Sequence, residues 1–297
     1  MPRHRGELSD LNWTKLQPFL PPERAKKRGH PWSPHRRIVN GMLWVARTGA
    51  PGRDLPRRYG PWQTVYDRFR RWQRNGRWTQ ILQALQAQED AAGRLHWDEG
   101  SADSTIVRAH QHAAGAPHRP RRAVRVSTQA PIDLGGTEAL GRSRGGLTTK
   151  IHLTCDAQGR PLGLHLSAGQ ASDSKQLEAT LDTIWVPRRQ RGRPRKRVKR
   201  LLLDKGYSYR RCRAALRRRK IQVLIPERKD QRAARARKGL RGGRPPYFDA
   251  GAYQRRSWVE RCINRLKQWR RVATRYEKRA ESYLAMVTLA AIMIWLN

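Results

Sequence analysis

The stretch from Tyr283 to Leu296 is the one long apolar run in a chain otherwise dense in cations. It holds 14 residues, fewer than the roughly 20 a helix needs to cross a bilayer. A helix apolar on every side must be buried all round, so the rest of the chain has to supply a body thick enough to enclose it. That body is strongly charged outside. Against 23 Asp and Glu stand 64 Lys and Arg in 297 residues, a formal charge of +41. Such an excess is hard to hold in a compact body without a polyanion as counter-charge, which makes nucleic acid the first partner to consider and argues against an enzyme of neutral or acidic small molecules. The length admits one large or two ordinary domains, and 37% hydrophobic residues is too many for a disordered basic tail. Cys155, Cys212 and Cys262 lie far apart with no C-x-x-C pair, so neither a disulfide framework nor a zinc ribbon is supported. The N-terminal MPRHRGELSDL lacks an apolar signal core. A cytoplasmic, nucleoid-associated protein without a membrane anchor is expected.

Six of the 11 tryptophans fall in the first 86 residues, in short helical patterns. Leu11 to Leu20 reads as a helix stopped by Pro21-Pro22, and Ser33-Pro34 as an N-cap with proline in the first helical position. Ile38, Met42 and Val45 keep helical spacing up to Gly49, and Trp62, Val65, Phe69 and Trp72 repeat it, followed by a helix from Trp78 to Leu85. Residues 1–90 are therefore expected to form a helix-turn-helix-like domain, with Arg68, Arg70, Arg71 and Arg74 displayed toward DNA phosphates. A plain helical cap is the alternative. Residues 91–297 should hold a second domain. Its pattern is a strand from Leu95 to Val107, a long loop over 109–147, and a hairpin of Thr148–Thr154 with Pro161–Ser167. After it come a helix capped by Ser172, a strand at Leu201–Leu203, a helix, a strand at Ile221–Ile225, and two helices, Tyr253 to about Arg271 and Ser282–Leu296. Basic loops are expected at 186–200 and 226–250. This order describes an α/β mixed sheet with flanking helices, the order of the ribonuclease-H-like fold.

Asp103 lies in or at the end of the first strand, and Asp204 directly follows Leu201–Leu203. Ligands collect at the carboxyl ends of strands in such sheets. Gly206 is expected to permit an unusual turn that frees the Asp204 carboxylate. A continuous helix from Tyr253, at roughly 100° per residue, places Arg256 near −60°, Glu260 near −20° and Lys267 near −40°, all on one stripe with Tyr253. Taken alone, that stripe is equally a solvated face with an Arg256–Glu260 pair. Three carboxylates, Asp103, Asp204 and Glu260, together suit two hard divalent cations, Mg²⁺ or Mn²⁺, which take oxygen ligands and leave positions open for phosphate and water. Arg256 and Lys267 would grip flanking phosphates.

At these residues the chain resembles the DDE transposases of the bacterial insertion-sequence five family, in the insertion-sequence four/five group. Tyr253-x2-Arg256-x3-Glu260-x6-Lys267 matches the group's Y-x2-R-x3-E-x6-K signature, while DSTIVRAHQHAAGA from Asp103 and LLLDKGYSYRR around Asp204 are similar to its first two acidic motifs. The resemblance covers nearly the whole chain. It implies that Asp103, Asp204 and Glu260 are the catalytic and metal-binding triad, that Tyr253, Arg256 and Lys267 contact DNA, and that two Mg²⁺ or Mn²⁺ ions support cleavage of element ends and transfer of the 3′ hydroxyl into target DNA. Double-stranded DNA is the implied partner, with a homodimer or higher assembly on it. Only 55 residues separate Asp204 from Glu260, which leaves no room for the large β-rich insertion of some relatives. The alternatives are a non-catalytic DNA-binding regulator and a related nuclease without strand transfer.

Other features read more plainly. Segment 186–246 carries 25 Lys and Arg against Asp204, Glu227 and Asp230, a DNA-facing surface. Gly192 to Arg197 (GRPRKR) resembles a minor-groove hook but reads better as a phosphate-binding loop. His110 and His112 are expected in solvent, Asp173 as a capping residue, and Asp98 facing away from Asp103.

Overall fold

The computed structural model describes residues 4–23, 33–115, 138–143 and 145–297. Four helices open the chain: α1 (Asp10–Leu16), α2 (His35–Thr48), α3 (Trp62–Arg74) and α4 (Arg77–Ala91). Ser9 caps α1 by accepting from the Asn12 amide at 3.1 Å. Pro34, not Ser33, caps α2, without a side-chain bond. Gly49 ends α2 at φ 71°, and Gly76 at φ 63° lets α3 fold straight back into α4. That reversal stacks Trp78 against Phe69 and Trp72, with ring centroids 5.6 and 5.3 Å apart.

The remainder builds one sheet with helices on both faces. In chain order it runs β1 (Glu99–Ala109), α5 (Gln111–Ala114), β2 (Gly141–Ser143), β3 (Gly146–Asp156), β4 (Pro161–Ala168), α6 (Asp173–Asp182), β5 (Arg200–Leu202), α7 (Arg210–Arg218), β6 (Gln222–Leu224) and α8 (Lys229–Arg237). Then follow α9 (Ala250–Gln254), α10 (Ser257–Lys267), α11 (Arg270–Ala273), β7 (Thr274–Arg275) and α12 (Ala280–Leu296). The antiparallel set β4-β3-β1 continues into the parallel set β1-β5-β6, while β2 pairs the start of β3 and β7 the end of β1. A hairpin on one side of β1 and crossover helices on the other give the ribonuclease-H-like strand order. In β1 to β3 the register sets Asp103 opposite Leu153 and Ser104 opposite His152.

Helix α12 lies at the centre. All but one of its 17 residues are buried, between α4 on one side and β4 on the other, with α1, α2, α3, α10 and α11 also against it. Gln86 of α4 and the Trp295 indole of α12 both donate to the carbonyl of Pro161, at 3.0 and 2.8 Å, tying the three elements together. A single apolar core runs from Leu8 and Ile38 through Leu85 to Leu153, Leu201 and Leu296, so the N-terminal helices share their interior with the sheet.

Several local expectations change. Regular pairing in β1 starts at Glu99, leaving Leu95 and Trp97 buried in irregular chain. The stretch expected as one helix from Tyr253 to Arg271 is broken into α9, α10 and α11, because Arg256, Trp258 and Val259 donate three residues back rather than four. The expected basic loop 226–250 contains α8, which has no apolar stripe and buries no residue. Of the expected loop 109–147, α5, β2 and the start of β3 are regular, and 116–137 and 144 lie outside the described residues. The 186–200 loop is irregular apart from a bridge between Val186 and Arg195.

Since α12 faces both halves, Leu289→Ala, at a position 1% exposed, is expected to cost about 2–5 kcal/mol. Tryptophan fluorescence, weighted to the N-terminal helices, and far-ultraviolet circular dichroism should lose stability together. Two separated transitions would show that the halves fold independently.

Candidate active site

Asp103 and Glu260 meet across one guanidinium. Arg256, at the N-cap of α10, donates from Nη2 to Asp103 Oδ2 and from Nη1 to Glu260 Oε1, the latter at 2.6 Å. The two carboxylates are 153 and four residues away from it in sequence; packing of α10 on β1 and β3 brings them together. Asp103 Oδ1 accepts from the Ser104 amide at 2.8 Å. Burial raises the Asp103 pKa; Arg256 and the Ser104 amide oppose this, and the negative charges of Asp204 and Glu260 add to it. The α10 break leaves the Arg256–Glu260 relation intact, since both lie in one helical turn.

Asp204 follows β5, and its Oδ1 is buried with no hydrogen-bond partner among the described residues. Gly206 has no positive φ, so the expected unusual turn is absent. Its role is space: a Cβ there would stand 3.0 Å from Asp204 Oδ1 and 3.2 Å from Oδ2. The buried Tyr207 hydroxyl is pushed well up, first by burial and then by the charges of Asp173, Asp103 and Asp204. Tyr253 packs beside Leu202, Leu224 and Ala252 and stacks on Phe248 with centroids 5.2 Å apart; burial raises its pKa too, opposed by Arg256. Lys267 donates to the Ile106 carbonyl of β1 at 3.2 Å, and burial lowers its pKa.

Asp173 is the acid the sequence undervalued. It is not a cap: Ser172 takes that place and Asp173 opens α6 as its first residue, its Oδ1 accepting from Ser104 Oγ at 2.7 Å and pairing with Lys150 Nζ at 2.9 Å. It thus braces the strand residue next to Asp103. His152 lies beneath, its pKa lowered to about 3, chiefly by burial, and bonds Ser167 Oγ at 2.7 Å. The contact from Ser104 to Asp173 spans 69 residues, and no local periodicity reports it. His110 and His112 stack on each other outside this network, and Asp98 pairs with Lys199 in solvent.

A divalent cation fits this donor set in chemistry. The donors are all carboxylate oxygens, Asp204 Oδ1 is orphaned, and the guanidinium of Arg256 already satisfies Asp103 and Glu260 as a cation would. The fit requires movement. Among the described residues no three His, Cys, Asp or Glu side chains stand close enough to hold an ion as they are, so Arg256 must yield at least one carboxylate.

Comparison with known proteins gives the family. Residues 98–296 match the family model "Transposase DDE domain", and residues 8–82 match "Putative transposase of IS4/5 family". The chain belongs to the DDE transposases of the IS4/5 family. Among relatives, it is 41% identical over 109 residues to "Uncharacterized protein y4sN" of Sinorhizobium fredii, covering 37% of this chain and 82% of that one. It is 32% identical over 163 residues to "Putative transposase for insertion sequence element IS402" of Burkholderia cepacia, covering 54% of this chain and 68% of that one. The Mos1 transposase paired-end complex aligns over 84% of this chain and 81% of that one at 13% identity and a TM-score of 0.26, so the fold assignment stands on strand order and the family model.

In this transposase the N-terminal arginines divide. Arg68 does not face outward: it is 5% exposed, bonds His35 Nδ1 at 2.7 Å and lies over the Trp72 ring. The polar face of α3 turns its edge into the core, and burial lowers the pKa of both Arg68 and His35. Arg70 braces Ser282 of α12 at 2.7 Å. Arg71 and Arg74 are exposed, beside a groove that Tyr66, Asp67 and Asn75 complete. The GRPRKR segment is tied to the body through Arg195 over Trp97 and Lys196 over Trp185, the behaviour of a loop rather than a free hook. No described helix is long and apolar enough to cross a membrane.

The raised Asp103 pKa has a stability consequence. The fold disfavours the ionised form, so this cost is absent below the ordinary carboxylate pKa and fully present above the raised one. Asp103→Asn, whose amide oxygen can still accept from Arg256, is expected to raise the melting temperature at pH 7.5, with the gain vanishing below about pH 4. A lower melting temperature at pH 7.5 would mean that the ion pair outweighs burial.

Proposed function

We propose that this transposase binds the ends of its insertion sequence, cleaves them with divalent metal ions, and transfers the freed 3′ hydroxyl into target DNA. The observation that carries this reading is the meeting of Asp103 and Glu260 on one guanidinium, beside an Asp204 oxygen that has no partner of its own. Asp103, Asp204 and Glu260 would hold two Mg²⁺ or Mn²⁺ ions, which supply an activated attacking oxygen and a stabilised leaving oxygen when bound.

The chain's own residues do the rest. Asp103 is held from two directions, by the Ser104 amide at its carboxylate and by Asp173 on the Ser104 hydroxyl. Arg256, once displaced from a carboxylate, becomes a fork able to grip the phosphate being cut. Tyr253 lies within electrostatic reach of Arg256 and of all three carboxylates, and Lys267 is held against β1 at the Ile106 carbonyl. In transfer, the 3′ oxygen of the element forms a bond to a target phosphorus while the target's own 3′ oxygen leaves, so one phosphodiester is exchanged for another. The N-terminal helices are assigned recognition of the ends, with Arg71 and Arg74 as the outward cations, and pairing of two ends calls for at least a homodimer on DNA.

Asp103→Asn, Asp204→Asn and Glu260→Gln should each abolish Mg²⁺- or Mn²⁺-dependent end cleavage while gel shifts stay near wild type. Two of the three cutting at wild-type rate would dismiss the triad. Products joined to target DNA, against products merely cut, separate a transposase from a nuclease. Replacing both Arg71 and Arg74 with Ala in the full chain should weaken binding to an end-containing and a random duplex alike and lower the slope of log K against log [salt] by about two; an unchanged slope would remove both from the DNA surface.

A further inference from the structure

Beginning at Ser208, four residues after Asp204 in sequence, α7 and α8 enclose a cleft of about 430 Å³ lined by Ser208, Arg210, Arg213, Arg217, Glu227 and Gln231. Its charge is one-sided. Glu227 is the single acid, and it is taken by Arg235. Arg213 is fixed from within, donating to the Ile225 carbonyl at 3.1 Å and to Ser208 Oγ at 3.3 Å, and burial lowers its pKa. Arg210 and Arg217 are exposed and have no polar partner among the described residues. Across the cleft α8 contributes the neutral Gln231 and buries no side chain of its own. What holds α8 here is polar: Gln231 to Ser208 and Arg235 to Glu227. Three arginines on one wall, two of them without a partner among the described residues, thus face a cleft whose one acid is already paired, an arrangement that favours an entering anion.

We infer that this cleft seats the phosphate backbone of DNA as it leaves the catalytic carboxylates. The inference rests on the DNA-cleaving function proposed above and gives it a second contact. Three observations favour a backbone over a lone anion. Ser208 lies four residues after Asp204, so a strand passing the site runs directly onto the cleft. Arg210, Arg213 and Arg217 share one face of α7 over about 10 Å, roughly the axial rise of three nucleotides at 3.4 Å each. Guanidinium forks match phosphate oxygens in pairs.

The test uses the full chain in EDTA, where no cutting occurs, with a duplex carrying an element end and a random duplex. The double variant Arg210→Ala with Arg217→Ala should lower the slope of log K against log [salt] by about two on both, while Arg210→Lys with Arg217→Lys keeps the wild-type slope, since Lys still neutralises phosphate. Near-ultraviolet circular dichroism unchanged in the Ala variant assigns its effect to charge. The three native cysteines are buried, so Arg217→Cys can carry a photo-cross-linker, and its adducts should fall within a few nucleotides of the cut bond. An unchanged slope in the Ala variant, or adducts remote from that bond, would overturn the inference while wild-type cleavage left the proposed function standing. A wild-type chain with no salt-dependent DNA binding would overturn both.

Discussion

Enclosing α12 is the constraint on which the rest of the structure depends. A helix apolar all round can satisfy water only by being surrounded, and this chain surrounds it from both ends of its sequence: α1 to α4 on one side, β4 and the α10–α11 corner on the other. The consequence reaches the site. The helices assigned to end recognition are fixed relative to the carboxylates by shared apolar packing rather than by a linker, so DNA held at Arg71 and Arg74 has a defined path toward Asp103. Arg70, which bonds Ser282, belongs to this joint more than to the DNA surface.

The site itself is organised around one arginine. Asp103 and Glu260 are drawn together by the Arg256 guanidinium, which relieves repulsion that a bare pair of carboxylates would suffer. Burial works against this, holding the Asp103 pKa up despite Arg256. Asp103 is therefore kept in an environment that disfavours its charged form, as functional sites often are.

Legibility from sequence followed the range of the interactions. The Arg256–Glu260 pair was readable because it needs one helical turn; the continuous helix from Tyr253 was not, because the break at Arg256 comes from three-residue hydrogen bonds that no side-chain period reports. The hairpin of β3 and β4 was readable from alternation and a turn at Asp156–Gly159. Arg68 was misread as an outward cation because its partner, His35, lies 33 residues earlier and a stripe of arginines looks the same whether its edge is wet or dry. Asp173 and α8 were missed for opposite reasons. The first acts across 69 residues through Ser104, and the second is polar on every side, so no period marks it as a helix.

Cations outnumber acids 64 to 23 in this chain, and the acids that are buried or half-buried usually end on an arginine: Asp156 on Arg160, Glu99 on Arg255, Glu227 on Arg235, Glu277 on Arg271. Against that background an acid without a cation is the anomaly. Asp204 forms no ion pair among the described residues, and one of its oxygens is both buried and without a hydrogen bond. Leaving such an oxygen unsatisfied costs about 1–3 kcal/mol or more for a charged group, in a chain where an arginine is seldom far away. Gly206 keeps the space in front of that carboxylate clear of a side chain. An acid kept free of arginine, with the space before it kept clear of a side chain, suits the cation of the proposed function; the excess cations on α7 suit its polyanion.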